Sequence, residues 1–302
     1  MVDVSTALAA AIAAGKPQRV LLEFKTNGSY TNPTTFSNED IVVDRGVTLR
    51  ETFNGDEDLT IGQCPSASLS FTLLNDVNQI TSFEFGEFKA WLGARIDSGT
   101  PTGKTKTFSE GGVTRTYEFA PLGVFIAERP SVVRKQMIDI TAYDRMGLLD
   151  KEWSATGISV TYNGLTAASL LSAICSNLGI EFLDVNGSTS GYAFLNSTLT
   201  LSKKPDGIDQ MTVKEVVGWI AEAACAVARF NRAGQLEFKW YAANPTSVAT
   251  YSESGYVEFE PSWYTVPAID KLSVRNASAT TETVVGTGTT GYIIQNNPFL
   301  RP

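Results

Sequence analysis

The sequence contains no histidine among its 302 residues. Histidine is the usual general base near neutral pH and the commonest metal ligand in proteins. Its absence excludes Ser-His-Asp and Cys-His catalysis and zinc sites of the Cys₂His₂ type. Paired carboxylates, lysine chemistry and N-terminal nucleophiles stay open, but most familiar catalytic routes are closed. The sequence therefore favours a protein that is not an enzyme and holds no cofactor and no metal.

Cysteine is scarce as well. Cys64, Cys175 and Cys225 lie far apart, and none belongs to a Cys-x-x-Cys pair. A zinc ribbon and a dithiol redox motif are therefore excluded. We interpret the three residues as small buried hydrophobes in a protein made in a reducing cytosol.

Clusters of positive charge and long apolar runs are also missing. The net charge is −8 and no run of Lys or Arg occurs, which argues against binding to nucleic acid or to a membrane surface. No segment reaches the roughly 18 apolar residues that span a bilayer. The apolar run Ala7–Ala14 follows Asp3 and no basic residue, so it predicts a short surface helix capped by Ser5 and ended by Gly15. We expect no membrane anchor.

The residues that are present indicate a folded chain rich in β-structure. Apolar residues make up 43% of the sequence, and aromatic and β-branched segments alternate with Ser, Thr, Gly and Asn. The predicted fold class is α+β, mostly β. We predict three domains: a β-rich domain over 1–150, a mixed helix and strand domain over 151–245, and a second β-rich domain over 246–302.

Apolar alternation predicts most of the strands. Between Thr26 and Asn38 it predicts a polar loop, and Phe83, Phe85, Phe88 and Trp91 form an aromatic set that favours core packing over a ligand platform. The predicted strands are Arg19–Lys25, Asp40–Asp44, Thr48–Phe53, Leu59–Ile61, Ser66–Leu74, Ala90–Ile96, Val113–Phe119, Leu122–Glu128, Val132–Ala142, Cys225–Phe230, Gln235–Trp240, Tyr256–Phe259, Ala268–Asn276, Thr281–Thr287 and Tyr292–Gln295.

Two helices are predicted after residue 150. Thr166–Leu178 has helical apolar spacing and ends at Gly179. Thr212 and Glu215 match a capping box, in which the two residues satisfy each other's backbone amides at the start of a helix.

The loop Ile96–Thr107 is the candidate contact site. It is rich in Ser, Thr, Gly and Pro and lies between strand patterns, which predicts a long hairpin with a flexible end. Such ends often contact partners. The predicted contact residues are Asp97, Ser98, Gly99, Thr100, Pro101, Thr102, Gly103 and Lys104.

Three motifs resemble chemical sites but have the wrong context. Gly286-Thr-Gly288-Thr-Thr-Gly291 matches the dinucleotide fingerprint, yet a strand pattern follows where the motif needs a helix, so we predict a hairpin turn. Asp56-Glu57-Asp58 lacks the spacing of an EF-hand loop and is interpreted as a solvated turn. Asp139 and Asp144 form at most a weak candidate carboxylate pair.

Several segments in order resemble one family. They are Pro121-Leu-Gly-Val-Phe-Ile-Ala-Glu-Arg-Pro130, Ile138-Asp-Ile-Thr-Ala-Tyr-Asp-Arg-Met146 with Leu148–Lys151, the helix Leu165–Ile174, the capped helix Thr212–Glu222 with a hairpin around Gly234, and Tyr292-Ile-Ile-Gln-Asn-Asn-Pro-Phe-Leu300. Together they resemble phage tail-tip and baseplate-hub proteins, over roughly residues 120 to 300. Before residue 120 only the β-rich pattern agrees.

The corner after Ile138 also has a physical interpretation of its own. Ile138, Ile140 and Ala142 point to one face of a strand, and Asp144 is placed to cap a short helix from Arg145. Met146 and Leu149 then return to the core.

The resemblance implies a structural subunit of a virion tail tip or baseplate, made in the host cytoplasm. Proteins of this family form homotrimers with two barrel-like domains per chain, here 1–150 and 246–302, so that a ring of six similar domains joins a sixfold tail tube to a threefold spike or fibre. The implied partners are copies of the chain and tail-tube, distal tail or spike and fibre proteins. Phage DNA passes through the channel, which the acidic excess is expected to line in part.

Two alternatives stay open. The chain could be the N-terminal module of a tail-associated cell-wall hydrolase or carbohydrate-binding receptor protein, with its aromatic residues as a sugar platform. It could also be the hub of a bacterial injection machine, which shares the fold.

The sequence departs from the family at two points. Family members usually continue past the Asn-Pro-Phe-Leu phrase, so the last domain is incomplete if the native chain extends beyond Pro302. Cys225 stands where a small residue such as Gly is common.

Overall fold

The computed structural model describes residues 4–26, 28–42, 46–51, 61–74, 83–134, 136–239, 271–275, 282–289 and 291–300. In these residues the fold is α+β and mostly β, as the sequence predicts. The α-helices are α1 (Thr6–Ala13), α2 (Ala167–Leu178) and α3 (Val213–Ala223), and the strands are β1 (Gln18–Thr26), β2 (Ser29–Ser37), β3 (Val47–Arg50), β4 (Ser68–Leu74), β5 (Glu87–Ile96), β6 (Lys104–Glu110), β7 (Val113–Ala127), β8 (Ser131–Arg134), β9 (Met137–Asp144), β10 (Phe182–Leu183), β11 (Val227–Phe230), β12 (Leu236–Lys239), β13 (Lys271–Arg275), β14 (Glu282–Gly286) and β15 (Gly291–Gln295).

The first nine strands form one sheet, which together with α1 we call the sheet region. Its order is β2-β1-β5-β7-β9-β4-β3, with β6 added beside β7 and β8 beside β9. The chain that leaves β2 crosses to β4, where the Val42 amide donates to the Thr72 carbonyl at 2.9 Å and the Leu74 amide donates to the Asp40 carbonyl at 2.7 Å. The sheet therefore curls towards a barrel shape, although the described ladder stays open.

The inner face of this curled sheet holds the main β core. Alternate residues of six strands point into it, as the period of two in a strand requires. Phe83 and Phe88 lie in this core, which confirms the packing role predicted for them, whereas Phe85 is 75% exposed. The core residues are Leu22, Phe36, Ile41, Leu69, Phe71, Leu73, Phe83, Phe88, Ala90, Phe125, Ala127, Ile138, Ile140 and Ala142.

Residues 145–239 form a second packed body, which we call the helical unit. The predicted caps of its helices are present: the Thr166 hydroxyl accepts from the Ser169 amide, and Thr212 and Glu215 form the capping box. Gly179 ends α2 in a left-handed conformation, as expected. The buried side chains of α2 and α3 share one core with the 3₁₀ turn Arg145–Leu149 and with Phe299 from the C-terminal segment.

A short segment before β4 joins the two regions. The Gly62 amide donates to the Ala226 carbonyl at 2.8 Å, and the Ala228 amide donates to the Gln63 carbonyl at 2.9 Å, so the segment lies against β11 like an added strand. A β-carbon on Gly62 would lie 2.8 Å from the Glu222 β-carbon. Glycine is therefore required for this close approach to α3.

The structure corrects four predictions about secondary structure. The predicted loop Thr26–Asn38 contains strand β2, and the predicted loop Ile96–Thr107 contains the start of β6. The predicted strand Val132–Ala142 is two antiparallel strands, β8 and β9. The segment Gly286–Gly291 is not a hairpin turn, because β14 and β15 lie on opposite sides of β13. In each case the prediction rests on a local pattern, whereas the pairing of strands determines the structure.

Several predictions lie wholly or partly outside the described residues. The turn Asp56–Asp58 and the strand Tyr256–Phe259 lie wholly outside them, and the strands Thr48–Phe53, Leu59–Ile61, Gln235–Trp240, Ala268–Asn276 and Thr281–Thr287 lie partly outside them. Of the predicted strand Asp40–Asp44, an isolated bridge between Ile41 and Leu73 is described. Among the helices that the structure describes, none is long and apolar enough to cross a bilayer.

Candidate interaction surface

The predicted contact residues Asp97–Lys104 connect β5 to β6. Asp97, Ser98, Gly99 and Thr100 are exposed, as are Thr102 and Gly103, whereas Pro101 and Lys104 are half-buried. The loop therefore presents a mostly polar surface to the solvent.

A buried carboxylate anchors this loop. Glu118 on β7 is only 1% exposed, and its Oε1 accepts from the Thr102 amide at 3.0 Å and from the Gly103 amide at 2.7 Å. Its Oε2 accepts from the hydroxyl of Ser5. Buried carboxylates are stable only when such donors replace water. The predicted hairpin is wrong at this position, because β5 and β6 each pair with β7 and not with each other. The loop that connects them, which the composition suggests to be flexible, has fixed attachment points.

The first residue of the loop is held by two cations. Asp97 lies 2.7 Å from the Lys16 ammonium and 3.0 Å from Arg95 Nε. The hydrogen bond from Lys16, followed by that from Arg95, lowers the pKa of Asp97 below its usual range. Because the pair is exposed, salt screens it.

Helix α1 forms one surface with the loop. Ser5 caps the helix by accepting from the Leu8 amide at 2.9 Å, and the same hydroxyl donates to Glu118. Leu8 and Ala11 pack against Ala94 of β5. We call α1 together with Asp97–Lys104 the loop–helix surface.

Strand β6 continues from the loop and covers the outer face of β1 and β5. Lys104 pairs with Glu23, and its ammonium lies 4.9 Å from the centre of the Trp91 ring. The Trp91 indole donates to Glu23 at 2.9 Å. Trp91 is therefore held by contacts within the protein. This supports a packing role for Trp91 over a role in binding sugars.

The far end of β6 is held in a similar way. Glu110 lies 3.0 Å from Arg19 and accepts from the Tyr117 hydroxyl at 2.6 Å. The hydrogen bond from Tyr117, and then that from Arg19, lowers the pKa of Glu110. Arg19 also stacks 4.4 Å above the Phe108 ring. Polar contacts and a small apolar cluster thus hold β6 against the sheet.

The two aspartates considered as a carboxylate pair do not meet. Asp139 accepts from the Thr72 hydroxyl, whereas Asp144 accepts from Ser66 Oγ at 2.8 Å and from the Met146 amide at 3.1 Å. They point to opposite faces of β9 and lie about 16 Å apart along it, from the rise of an extended strand. Asp144 is the helix cap predicted from the sequence, and burial raises its pKa.

An arginine joins the sheet region to the helical unit. Arg145 Nη2 donates to Glu87 at 2.8 Å, and its Nη1 donates to the Gly234 carbonyl at 3.1 Å. Arg232 of the same turn donates to the Leu122 carbonyl at 3.2 Å. A β-carbon on Gly234 would lie 2.8 Å from Val124 Cγ2, so this turn fits closely against β7.

A cleft of about 490 Å³ lies between α3, the segment before β4 and β15. Both of its acidic side chains have structural partners: Glu215 belongs to the capping box, and Glu222 accepts from Asn297 Nδ2 at 2.8 Å. Burial raises the pKa of Glu222 and raises that of the Cys64 thiol to about 12. A thiol with such a pKa is a poor nucleophile.

The three cysteines are free thiols. Cys175 is buried, and Cys64 and Cys225 are half-buried. Within the described ranges, no group of three or more acidic or cysteine side chains could hold a metal ion.

The predicted contact residues do not include Glu118, Ser5 and Lys16, which hold the loop and α1 in place. One signal was present, since Glu118 stands between Tyr117 and Phe119 in an otherwise apolar stretch of β7. A carboxylate in such a stretch needs donors from elsewhere.

No family model matches the sequence, and no curated protein matches it. Among solved structures, the chain is similar to the 43 kDa tail protein of prophage MuSo2 from Shewanella oneidensis, with 12% identity, a TM-score of 0.46, and coverage of 92% of this chain and 71% of that one. It is similar to a tail protein from Neisseria meningitidis MC58, with 11% identity, a TM-score of 0.45 and coverage of 91% and 71%. It is also similar to the prophage tail protein gp18 from Listeria monocytogenes EGD-e, with 10% identity, a TM-score of 0.41 and coverage of 92% and 71%.

Proposed function

We propose that the chain is a structural component of a phage tail tip or baseplate. It acts by binding copies of itself and other tail proteins, and it needs neither catalysis nor a cofactor. In the finer form of this proposal the chain is a homotrimeric hub that links the sixfold tail tube to a threefold spike or fibre.

One observation carries the proposal. Parts of four segments that resemble the hub family, namely the corner, α2, α3 and the closing phrase, pack together in a single core. Met146 and Leu149 of the corner, Ile174 of α2, Ile220 of α3 and Phe299 of the closing phrase are all buried in it. When packing in a shared core explains the apolar spacing of these segments, their role is structural. This agrees with a structural subunit.

The junction between the regions supports the same role. Arg145 and Arg232 bind backbone carbonyls and Glu87 across it, and the Gly62 segment adds a backbone ladder. A subunit that passes force between a tube and a spike needs regions joined by several independent contacts. Within the proposal, residues 1–150 and 246–302 are the two barrel-like domains and 151–245 braces them.

The loop–helix surface is the proposed contact with a neighbouring tail protein. Most residues of Asp97–Lys104 are exposed, and Glu118 anchors the loop, so binding would cost little loop entropy. The acidic excess of the chain is proposed to line part of the central channel and to repel the passing DNA. A basic or neutral channel in the surface potential of the assembled ring would refute that part.

The proposal is tested by the native mass of the purified chain, alone and with its tail-tube protein. We expect a trimer that binds the tube protein and gives no signal with host cell-wall sugars. A monomer that binds glycans saturably would instead favour the receptor or hydrolase module. To test the surface, Thr100→Arg should weaken binding to the tube protein, whereas Arg129→Ser, an exposed change outside the loop, should not.

A further inference from the structure

Strand β6 leaves one edge of the nine-stranded sheet open. It pairs with β7 over its whole length, from Lys104 opposite Phe119 to Glu110 opposite Val113. Among the strands that the structure describes, β7 is the one partner of β6. The backbone groups on its other edge are therefore available for a ladder with another chain.

The turn after β6 determines which residues point to that open edge. Gly111 and Gly112 have φ angles of 58° and 80°, as in the type I′ turn of a two-residue hairpin. In such a hairpin the closing pair, Glu110 and Val113, exchanges both hydrogen bonds, and bonded pairs then alternate. The backbone N–H and C=O groups of Thr105, Thr107 and Ser109 consequently face away from β7.

The other edges of this sheet carry a proline, an irregular ladder or a short strand, and β6 carries none of these three. Pro33 lies within β2 and lacks an amide hydrogen. The β8 ladder is irregular between Val132 and Arg134, and β3 has only four residues. Natural sheets use prolines, irregularities and short strands to prevent edge pairing. The regular seven-residue strand β6 is the exception.

The sequence of β6 is complementary to itself in the antiparallel direction. With Thr107 opposite Thr107, Lys104 lies opposite Glu110, Thr105 opposite Ser109 and Lys106 opposite Phe108. Opposite charges, Thr with Ser or Thr, and a cation with an aromatic ring are all favourable cross-strand pairs. No like charges meet in this register.

We propose that β6 pairs with β6 of a second copy of this chain, antiparallel and centred on Thr107. A twofold axis then passes through Thr107, and the contact is isologous, with the same residues contributed by each copy. The outward backbone groups of Thr105, Thr107 and Ser109 supply its hydrogen bonds.

The charged ends of β6 set the register of this contact. Lys104 already pairs with Glu23, and Glu110 with Arg19, and both lie at the face that packs on β1. Exposed ion pairs add little affinity, but a register that placed Lys opposite Lys would be disfavoured. The exposed face of the contact consists of the hydroxyl side chains of Thr105, Thr107 and Ser109.

This contact goes beyond the proposed function, because a threefold ring does not require a twofold pair. The two ideas therefore fail separately. A trimer that does not change when β6 is altered would support the ring and refute the pairing. A dimer that depends on β6, with no trimer, would support the pairing and refute the ring.

The first test is analytical ultracentrifugation of Thr107→Pro and Thr107→Val over a range of concentrations. Proline removes the outward amide and leaves the bonds to β7 intact, whereas valine keeps the amide and the β-branched shape. We expect proline to weaken dimerisation about tenfold or more, because each copy loses a backbone bond at the axis, and valine, which loses only the hydroxyl pair, to weaken it much less. A dimer insensitive to proline, or a wild-type chain that never forms a dimer, would overturn the proposal.

A second pair of variants tests the twofold axis itself and does not depend on proline being tolerated. Thr107→Lys and Thr107→Glu each place like charges opposite one another, so each variant should dimerise more weakly than the wild type. This difference from the wild type should become smaller at high salt, because salt screens the repulsion. An equal mixture of the two should restore a mixed dimer. If mixing restores nothing, Thr107 does not lie at an axis between copies.

Discussion

The sheet region and the helical unit are stabilised in different ways. In the helical unit the caps are local in sequence, such as Thr212 with Glu215, and one apolar core fills the interior. In the sheet region the main core is also apolar, but the outer layer depends on polar contacts between distant residues. Ser5 and Glu118 are 113 positions apart. We therefore expect substitutions in the apolar core to lower the stability of the helical unit most, and substitutions of charged residues to lower the stability of the sheet region.

The largest expected effect is on the core of the helical unit. Ile220 on α3 is fully buried. Replacing it by alanine removes buried carbon and leaves a cavity, so Ile220→Ala should lower the free energy of unfolding by about 2–5 kcal/mol, and Ile220→Val by about 0.5–1.5 kcal/mol. Chemical denaturation of both variants measures the difference. If alanine costs no more than valine, this core is not tightly packed.

The next effect concerns the polar layer of the sheet region. Glu118→Ala leaves the amides of Thr102 and Gly103 and the hydroxyl of Ser5 without their acceptor. Because hydrogen bonds to a charged group are worth about 1.5–3 kcal/mol, we expect a loss of about 2–3 kcal/mol. Hydrogen exchange at Thr102 and Gly103 should also become faster.

The matched control for that change is Glu128→Ala, which removes an exposed carboxylate one residue beyond β7. It should change stability by less than about 0.5 kcal/mol. Equal effects of the two variants would show that the loop does not depend on its buried anchor.

The sequence predicts contacts between neighbours in the chain better than contacts between distant residues. The cap at Asp144, the capping box at Thr212 and the inward face of Ile138, Ile140 and Ala142 depend on neighbours within a few positions, and all are present. The edge strands β2 and β6 were missed, because their solvent-facing residues are Ser, Thr and Asn, and β2 contains a proline. Their strand state comes from β1 and β7, which lie beside them in space.

The candidate site shows the same limit. The exposed loop Asp97–Lys104 could be predicted from its composition. Its anchors could not, because Ser5, Lys16 and Glu118 reach it from other elements. The predicted domain boundaries, the contact role of the loop and the trimer remain predictions.

A smaller effect is expected at Cys225, which follows the end of α3. Its φ angle is +53°, in the left-handed region that costs a residue with a side chain roughly 1–2 kcal/mol. Glycine adopts this region freely but is more flexible when unfolded. Cys225→Gly should therefore stabilise the protein by about 0.5–1 kcal/mol, measured by denaturation.

The control at this position is Cys225→Ala, which keeps the β-carbon and thus the backbone strain. It should bring no comparable gain. A gain from alanine equal to that from glycine would assign the effect to loss of the thiol.

The smallest effect is a difference in acid response between the two regions. In the sheet region, the hydrogen bond from Ser37, and then that from Arg19, lowers the pKa of Glu39 to about 2. A lowered pKa stabilises the fold above the unfolded value of about 4.3, and this contribution is lost as the pH falls towards 2. Glu39 is exposed, so the contribution is below about 1 kcal/mol. Glu39→Gln should remove it.

Glu222 in the helical unit should respond with the opposite sign. Burial raises its pKa, so its contribution is fully present below the unfolded pKa and is lost as the pH rises through the folded value. Glu39→Gln should therefore remove an increase in the free energy of unfolding with rising pH, whereas Glu222→Gln should remove a decrease. Denaturation curves of the wild type and both variants between acid and neutral pH measure the two slopes. If both variants change the slope with the same sign, pairing of Glu39 and burial of Glu222 do not act in opposite directions. The polar layer would then not distinguish the sheet region from the helical unit.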